Sequence, residues 1–175
     1  MTKTVTKAQC ADPSPRKSGR LRAGLAIVAM CALSLTVSKD SATANERVVT
    51  DWQTGLAISG FDPVAYFVEG QPVAGKPEYE AQWNGVVWRF RSLGNRDAFV
   101  DAPQVYAPEF GGHDAIAIAD GYIARGNPLI WSVQSGELHF FNSVENLSAF
   151  QKSGPRTQKS ADKNWKALSR TLALR

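Results

Sequence analysis

The fold is decided by the stretch Phe90-Arg91-Ser92-Leu93-Gly94-Asn95-Arg96-Asp97-Ala98-Phe99, whose pattern returns 51 positions later. The second copy is Phe141-Asn142-Ser143-Val144-Glu145-Asn146-Leu147-Ser148-Ala149-Phe150, with Phe, Ser, Asn, Ala and Phe at the same five places. In each copy the Ser is a residue type that caps a helix, and the two Phe can bring that helix back over a strand. We interpret the match as a structural repeat, with chance matching of five common residues as the alternative.

A hairpin pattern precedes each copy. Residues 78–83 and 86–91 alternate in polarity on either side of Asn84-Gly85, a pair that tolerates the positive φ angles of a two-residue turn. Gly136 occupies the place of Gly85 in the second copy. These patterns predict an α+β fold: a small antiparallel sheet built from two similar hairpin-plus-helix units, with short helices packed on it.

The remaining segments predict short helices. Asp62-Pro63 is typical of a helix start, and Gly70 of its end barely two turns later. Residues 115–121 are rich in Ala and close with Gly, which favours a short helix, although their Ile/Ala alternation also permits a buried strand. Trp165, Leu168 and Leu172 have helical spacing and predict an amphipathic closing helix over residues 160–172.

The N-terminal residues have the pattern of a secretory signal. A basic cluster from Arg16 to Arg22 precedes an apolar run from Ala23 to Val37 and the small residues Ala42-Thr43-Ala44. We predict a signal peptide over residues 1–44 and a single domain over residues 45–175, with its core at about 56–168, secreted to the periplasm. An uncleaved N-terminal anchor is the alternative.

Removal of residues 1–44 changes the charge and the cysteine content of the chain. The whole chain has a formal net charge of +4, whereas residues 45–175 hold thirteen Lys and Arg against fourteen Asp and Glu. This balance argues against nucleic acid as a partner, and no membrane association is expected after cleavage. Cys10 and Cys31 both lie in the signal segment, which excludes disulfides and thiolate–metal sites from the mature domain.

Three motifs resemble the secreted YHS-domain proteins of bacteria. They are Gly60-Phe61-Asp62-Pro63-Val64-Ala65-Tyr66-Phe67, the block from Pro103 to Gly121, and Trp131 with Gly136-Glu137-Leu138. The resemblance implies a small α+β domain with a broader kinship to metal-handling modules, in a branch that mostly has no assigned activity. The chain departs from the family at His113-Asp114, where the resemblance leads us to expect Tyr-Cys. Such a pair suits a divalent ion such as zinc or copper through nitrogen and oxygen ligands.

The segment between the two units holds most of the candidate site. The ligand-binding candidates are Tyr106, Glu109, Gly111, Gly112, His113 and Asp114, and the metal-binding candidates are His113, Asp114 and His139. The paired Gly lets backbone approach a ligand closely, and the imidazole and carboxylate supply ligand or proton-transfer groups. The alternative is structural: Asp114 caps the following helix and His113 is a loop side chain.

His139 takes the place of Trp88 in the repeat, which predicts an inward imidazole. It either completes a two-His site with His113 or is a core histidine bonded to a backbone carbonyl. We expect a non-enzymatic binding module, with no catalytic residue assigned. A hydrolase- or isomerase-like enzyme with His113 and Asp114 as an acid–base pair is one alternative, and a structural or partner-binding domain is the other. The ligand and the partner are not specified by these patterns.

Overall fold

The computed structural model of the protein describes residues 46–172. The predicted signal peptide over residues 1–44 lies outside the described residues. The described part has the predicted α+β class, with each of the two hairpins forming a two-stranded sheet of its own rather than part of one joint sheet. No helix within residues 46–172 is both long enough and apolar enough to cross a membrane.

The helices and strands include the two hairpin-plus-helix units that the repeat predicts. They are α1 (Ala65–Val68), β1 (Lys76–Trp83), β2 (Val86–Phe90), α2 (Leu93–Asp101), α3 (Pro103–Tyr106), α4 (Ala115–Ala119), β3 (Asn127–Gln134), β4 (Glu137–Phe141) and α5 (Val144–Leu168). Short 3-10 turns occur at Ile58–Gly60, Glu109–Gly112 and Ser169–Thr171.

The two hairpins are copies of each other in register as well as in sequence. β1 pairs with β2 and β3 with β4, and the pairing shifts at the same place, before Glu80 in one hairpin and before Trp131 in the other. The first turn residue has a positive φ in both, 51° at Asn84 and 56° at Ser135. The repeat inferred from the sequence is therefore confirmed at the level of backbone geometry.

The capped helices behave as predicted. The hydroxyls of Ser92 and Ser143 each accept a hydrogen bond, 3.2 Å long, from the backbone N–H three residues later. The Phe pairs also meet as expected, with ring centroids 5.1 Å apart for Phe90–Phe99 and 5.2 Å apart for Phe141–Phe150. Each helix is thus held over its own hairpin by a ring contact.

A buried aspartate joins α1 to the first hairpin. One oxygen of Asp62 accepts hydrogen bonds from the N–H groups at the start of α1, 2.8 Å long at Val64. The other accepts from the backbone N–H of Arg91 at 2.8 Å and from the side-chain amide of Asn95 at 2.6 Å. The predicted cap at Asp62 is therefore confirmed, and it also fixes the helix to the strand end.

Asp114 makes the same connection in the second unit. It accepts from Ala117 N at 2.9 Å through one oxygen, and from Asn142 N at 2.6 Å and Asn146 Nδ2 at 2.9 Å through the other. We call these two arrangements the aspartate ties. They explain why Asn stands at the third fixed place of the repeat, since its amide binds the aspartate.

The helices differ in detail from their predictions. α1 has four residues, shorter than predicted, and α4 confirms the helix preferred over a strand after Asp114. The predicted closing helix is the last part of α5, which runs on from the capped helix of the second repeat copy. Pro155 interrupts the backbone hydrogen-bonding pattern, and α5 bends at Ser153, where φ is −127°.

The core joins both units. Trp88, Phe90 and Phe99 of the first unit pack in one cluster with Leu138 and Phe140 of β4. Tyr66 crosses between the units, with its ring 5.4 Å from that of Phe140. A second cluster holds Phe110, Ile118, Phe141, Phe150 and Ala161 beneath α5.

Candidate functional site

The structure places His113 in the interior as a structural residue. The side chain is 2% exposed, and both ring nitrogens face backbone carbonyls, Nε2 at 2.8 Å from Glu46 O and Nδ1 at 3.3 Å from Ala124 O. Burial lowers the pKa of His113, although the two carbonyl contacts oppose the shift. A neutral imidazole has a single N–H, so it donates to one of these two carbonyls, and the ring lies buried against the backbone of two chain segments.

Asp114 is likewise used within the fold. Its carboxylate is fully buried and serves as the aspartate tie of the second unit. The helix cap at Asp114, given as the structural alternative, is confirmed. Both oxygens accept hydrogen bonds from the protein, so the carboxylate is used within the fold.

The paired glycines admit another part of the chain rather than a ligand. Gly111 has a φ of 63°, and a Cβ there would overlap the carbonyl group of Arg47. The Gly111 carbonyl accepts a 2.8 Å hydrogen bond from Val49 N. Gly112 has a φ of 85° and packs against Ile58 and Phe140. A close approach is therefore present at Gly111, where the approaching segment is residues 47–49 rather than a ligand.

The predicted metal set is not assembled. Within residues 46–172 no group of three or more His, Cys, Asp and Glu side chains is arranged to hold a metal ion. His113 contacts the ring of Trp165 at 5.7 Å, whereas His139 contacts that of Phe150 at 4.8 Å. Tyr106 packs edge-on against Phe67 with centroids 5.5 Å apart, a core contact.

A cavity of about 240 Å³ lies where the two units meet, and we call it the seam cavity. The side chains that give it its chemistry are Arg47, Trp83, Trp88, Glu109, Phe110 and Trp165. They come from the segment before the first unit, from β1 and β2, from the turn between the units and from α5. Of the predicted ligand-binding residues, Glu109 and Gly111 line this cavity.

The seam cavity contains one cationic and one acidic side chain. Nη2 of Arg47 donates to Ser169 O at 3.2 Å, while its Nε is buried and has no hydrogen-bond partner in the described part of the chain. Burial raises the pKa of Glu109 to about 7, and the nearby charges of Glu137 and Asp162 add to the shift. Glu109 is therefore close to half protonated at neutral pH.

Tryptophan rings supply the apolar wall of the seam cavity. Trp83 and Trp88 are in contact at 5.9 Å, and Trp165 meets Phe110 edge-on at 5.9 Å. Flat rings beside a guanidinium donor form a surface that suits a flat ligand with an anionic group. No sequence pattern indicates Arg47 as a site residue, and Trp165 is predicted only as part of the closing helix.

The comparisons with known proteins gave no relative. No protein-family model matches the chain, and neither the curated proteins nor the solved structures contain a match. The resemblance to the secreted YHS-domain family therefore stays a prediction from the sequence motifs.

Proposed function

We propose that this protein is a non-enzymatic binding domain that is exported from the cytoplasm and holds a small aromatic carboxylate in the seam cavity. The observation that carries the proposal is that Arg47 lines the cavity together with the tryptophans, while its buried Nε–H has no hydrogen-bond partner among the described residues. A buried donor without a partner is unfavourable, and a carboxylate is the group that guanidinium binds best.

The size of the seam cavity limits the ligand. A volume of about 240 Å³ equals roughly eight liquid-water volumes of about 30 Å³ each, below the range of about 300–1,000 Å³ usual for drug-sized ligands. A single aromatic ring bearing a carboxylate is of suitable size. The side chains of Trp83 and Trp165, both partly exposed, would contact the ring.

Glu109 gives this binding a pH dependence. As the pH falls through about 7, the Glu109 carboxylate becomes protonated and its repulsion of a bound carboxylate ends. Benzoate should therefore bind more tightly at pH 6 than at pH 8, by about fivefold. Glu109→Gln should bind with the pH 6 affinity at both values.

Ligand-observed NMR with benzoate tests the proposal, with benzyl alcohol as the uncharged probe. We expect saturable benzoate binding and weak binding of the alcohol. Arg47→Met should abolish benzoate binding, while Arg96→Met, which removes a partly exposed arginine paired with Asp97, should leave it unchanged. No saturable binding of benzoate, or equal binding to Arg47→Met, would overturn the proposal.

Export is tested separately. The whole chain, expressed in a Gram-negative host, should appear in the periplasmic fraction with Asn45 as its first residue by mass spectrometry. A protein that retains residues 1–44 in the cytoplasm contradicts export without bearing on the seam cavity.

The raised pKa of Glu109 favours a second candidate, an enzyme in which this carboxyl is the general acid or base. Its signature would be chemical conversion of a bound ligand that stops in Glu109→Gln. Binding without conversion distinguishes the binding domain from the enzyme.

A further inference from the structure

A second cavity, of about 160 Å³, lies inside the second unit, and we call it the hairpin cavity. It is partly open to solvent and is lined by the turn between β3 and β4, by Phe150 and by the bend of α5. Gly154 lies at the bend, and a Cβ there would stand 2.7 Å from Gln134 Oε1. The bend in α5 and the absence of a side chain at residue 154 leave room for the Gln134 side chain beside the cavity.

Three residues that line the hairpin cavity hold buried polar atoms with no hydrogen-bond partner among the described residues. These atoms are Gln134 Oε1, His139 Nδ1 and Gln158 Oε1, and we call them the free acceptors. His139 is 1% exposed, so bulk water does not reach its ring. Only one other such atom, Arg47 Nε, occurs in the described part of the chain.

Neighbouring groups favour the acceptor role for two of these atoms, Gln158 Oε1 and His139 Nδ1. Gln158 Nε2 donates to Asp162 Oδ1 at 3.1 Å, which directs the amide oxygen away from that partner. His139 Nε2 lies 3.7 Å from a carboxylate oxygen of Glu137, which favours the proton on Nε2 and leaves a lone pair on Nδ1. Burial lowers the pKa of His139 to about 4, so the ring is neutral at pH 7.

The surroundings of the hairpin cavity are negative. Glu137 lines it, and burial together with the charge of Asp162 raises the pKa of Glu137. None of the described residues that line the cavity is Lys or Arg. An anion would meet carboxylates and lone pairs here, whereas a cation with N–H groups would meet acceptors.

We propose that the hairpin cavity binds a small primary amine in its ammonium form, because the residues that line it hold the free acceptors, to which the N–H groups of an ammonium ion can donate. The carboxylate of Glu137 balances the charge, and the ring of Phe150 forms one wall beside it. This site does not depend on the seam cavity, and its ligand has the opposite charge. Its volume equals roughly five water volumes, enough for an amine with a short alkyl chain.

NMR of the whole chain with ethylammonium chloride tests the proposal. The chain has two histidines, so the ring signals of His139 report on the cavity and those of His113 serve as the internal control. We expect a saturable shift of His139 alone. Tetramethylammonium, which has no N–H donors, and sodium chloride should produce none.

A variant of Gln158 sharpens the test. Gln158→Leu removes one acceptor and should weaken ethylammonium binding about tenfold. Gln151→Leu changes an exposed glutamine of the same helix and should have no effect. A His139 signal that ignores ethylammonium, as in a cavity occupied by water only, overturns the proposal. So does an equal response to tetramethylammonium.

Discussion

The first and second units have the same backbone plan but different interiors. In the first unit Trp83 and Trp88 fill the space under α2, with Phe99 in edge contact with Trp83 at 5.8 Å and 5.0 Å from Trp88. The matching positions of the second unit hold Gln134, His139 and Phe150, with the hairpin cavity beside them. One hairpin is closed by indole rings, and the other is lined by polar side chains.

This difference separates the residues that form the backbone frame from the residues that fill its interior. The turns, the serine caps and the aspartate ties are the same in both units, so they are sufficient to form the frame with either interior. The polar interior has a stability cost of about 1–3 kcal/mol for each buried polar atom left without a partner. We infer that the second unit exchanges stability for a place to bind a ligand.

The largest loss of stability is expected from removing the aspartate ties, which both units share. Asp62→Ala and Asp114→Ala each remove a buried carboxylate and leave several N–H donors unsatisfied, and each should lower the free energy of unfolding by about 3–5 kcal/mol. Urea denaturation measures both, with Asp97→Ala as an exposed control expected to change little. A tie that tolerates alanine in one unit would contradict their equivalence.

Substitutions at the matched strand positions, Trp88 and His139, should change the stability of the protein in opposite directions. Trp88→His opens space in a filled core and should cost about 3 kcal/mol. His139→Phe removes a buried nitrogen without a partner and should stabilise the protein by about 1 kcal/mol at pH 7, while abolishing ethylammonium binding. Thermal unfolding of the two variants decides the matter, and a loss of stability in His139→Phe would count against the cost assigned to the polar interior.

The second unit should also be the acid-sensitive one. The folded-state pKa of His139 is about 4, below its usual value of 6.5, so the unfolded chain takes up the proton first. The contribution of His139 to the free energy of unfolding is therefore fully present above pH 6.5 and is lost as the pH falls towards 4. The expected loss between pH 7 and pH 5 is about 2 kcal/mol. His139→Phe should remove this loss.

Glu109 changes the pH dependence of stability in the opposite direction. Its pKa is raised to about 7, so its ionisation disfavours the folded state as the pH rises from about 4.5 to 7. Comparing each single variant with the unaltered protein across that range separates the two residues. An unaltered pH profile in His139→Phe would show that the imidazole is not desolvated.

The smallest change in stability is expected from a substitution in a hairpin turn. Ser135 has a φ of 56°, a conformation that Asn adopts more easily, and the first unit already has Asn84 there with a φ of 51°. Ser135→Asn should therefore stabilise the protein by about 0.5 kcal/mol. Chemical denaturation can detect this gain, and a destabilised variant would show that the two turns are not interchangeable.

Local signals predicted most of the frame. The Asn84-Gly85 turn, the serine caps, the helix after Asp114 and the inward direction of His139 all depend on residues close in sequence. The Phe90–Phe99 contact followed from the repeat itself. These features come from backbone preferences and hydrophobic periodicity, which a single sequence displays.

The site was harder to predict because distant partners determine it. The sequence leaves His113 either as a ligand-binding residue or as a loop side chain, because nothing in it shows that the Glu46 carbonyl, 67 positions away, lies against the ring. Arg47 is held by Ser169, 122 positions along the chain. His139 was expected either to meet His113 or to bond a carbonyl, and only packing shows that its Nδ1 is instead a free acceptor.

The most direct measurement of the difference between the units is a pH titration of the two imidazoles by nitrogen-detected NMR. We predict that His139 carries its proton on Nε2, keeps Nδ1 unprotonated at pH 7 and stays neutral down to about pH 4. Titration of His139 near its usual value of 6.5, or a proton on Nδ1 at pH 7, would contradict a buried polar cavity in the second unit.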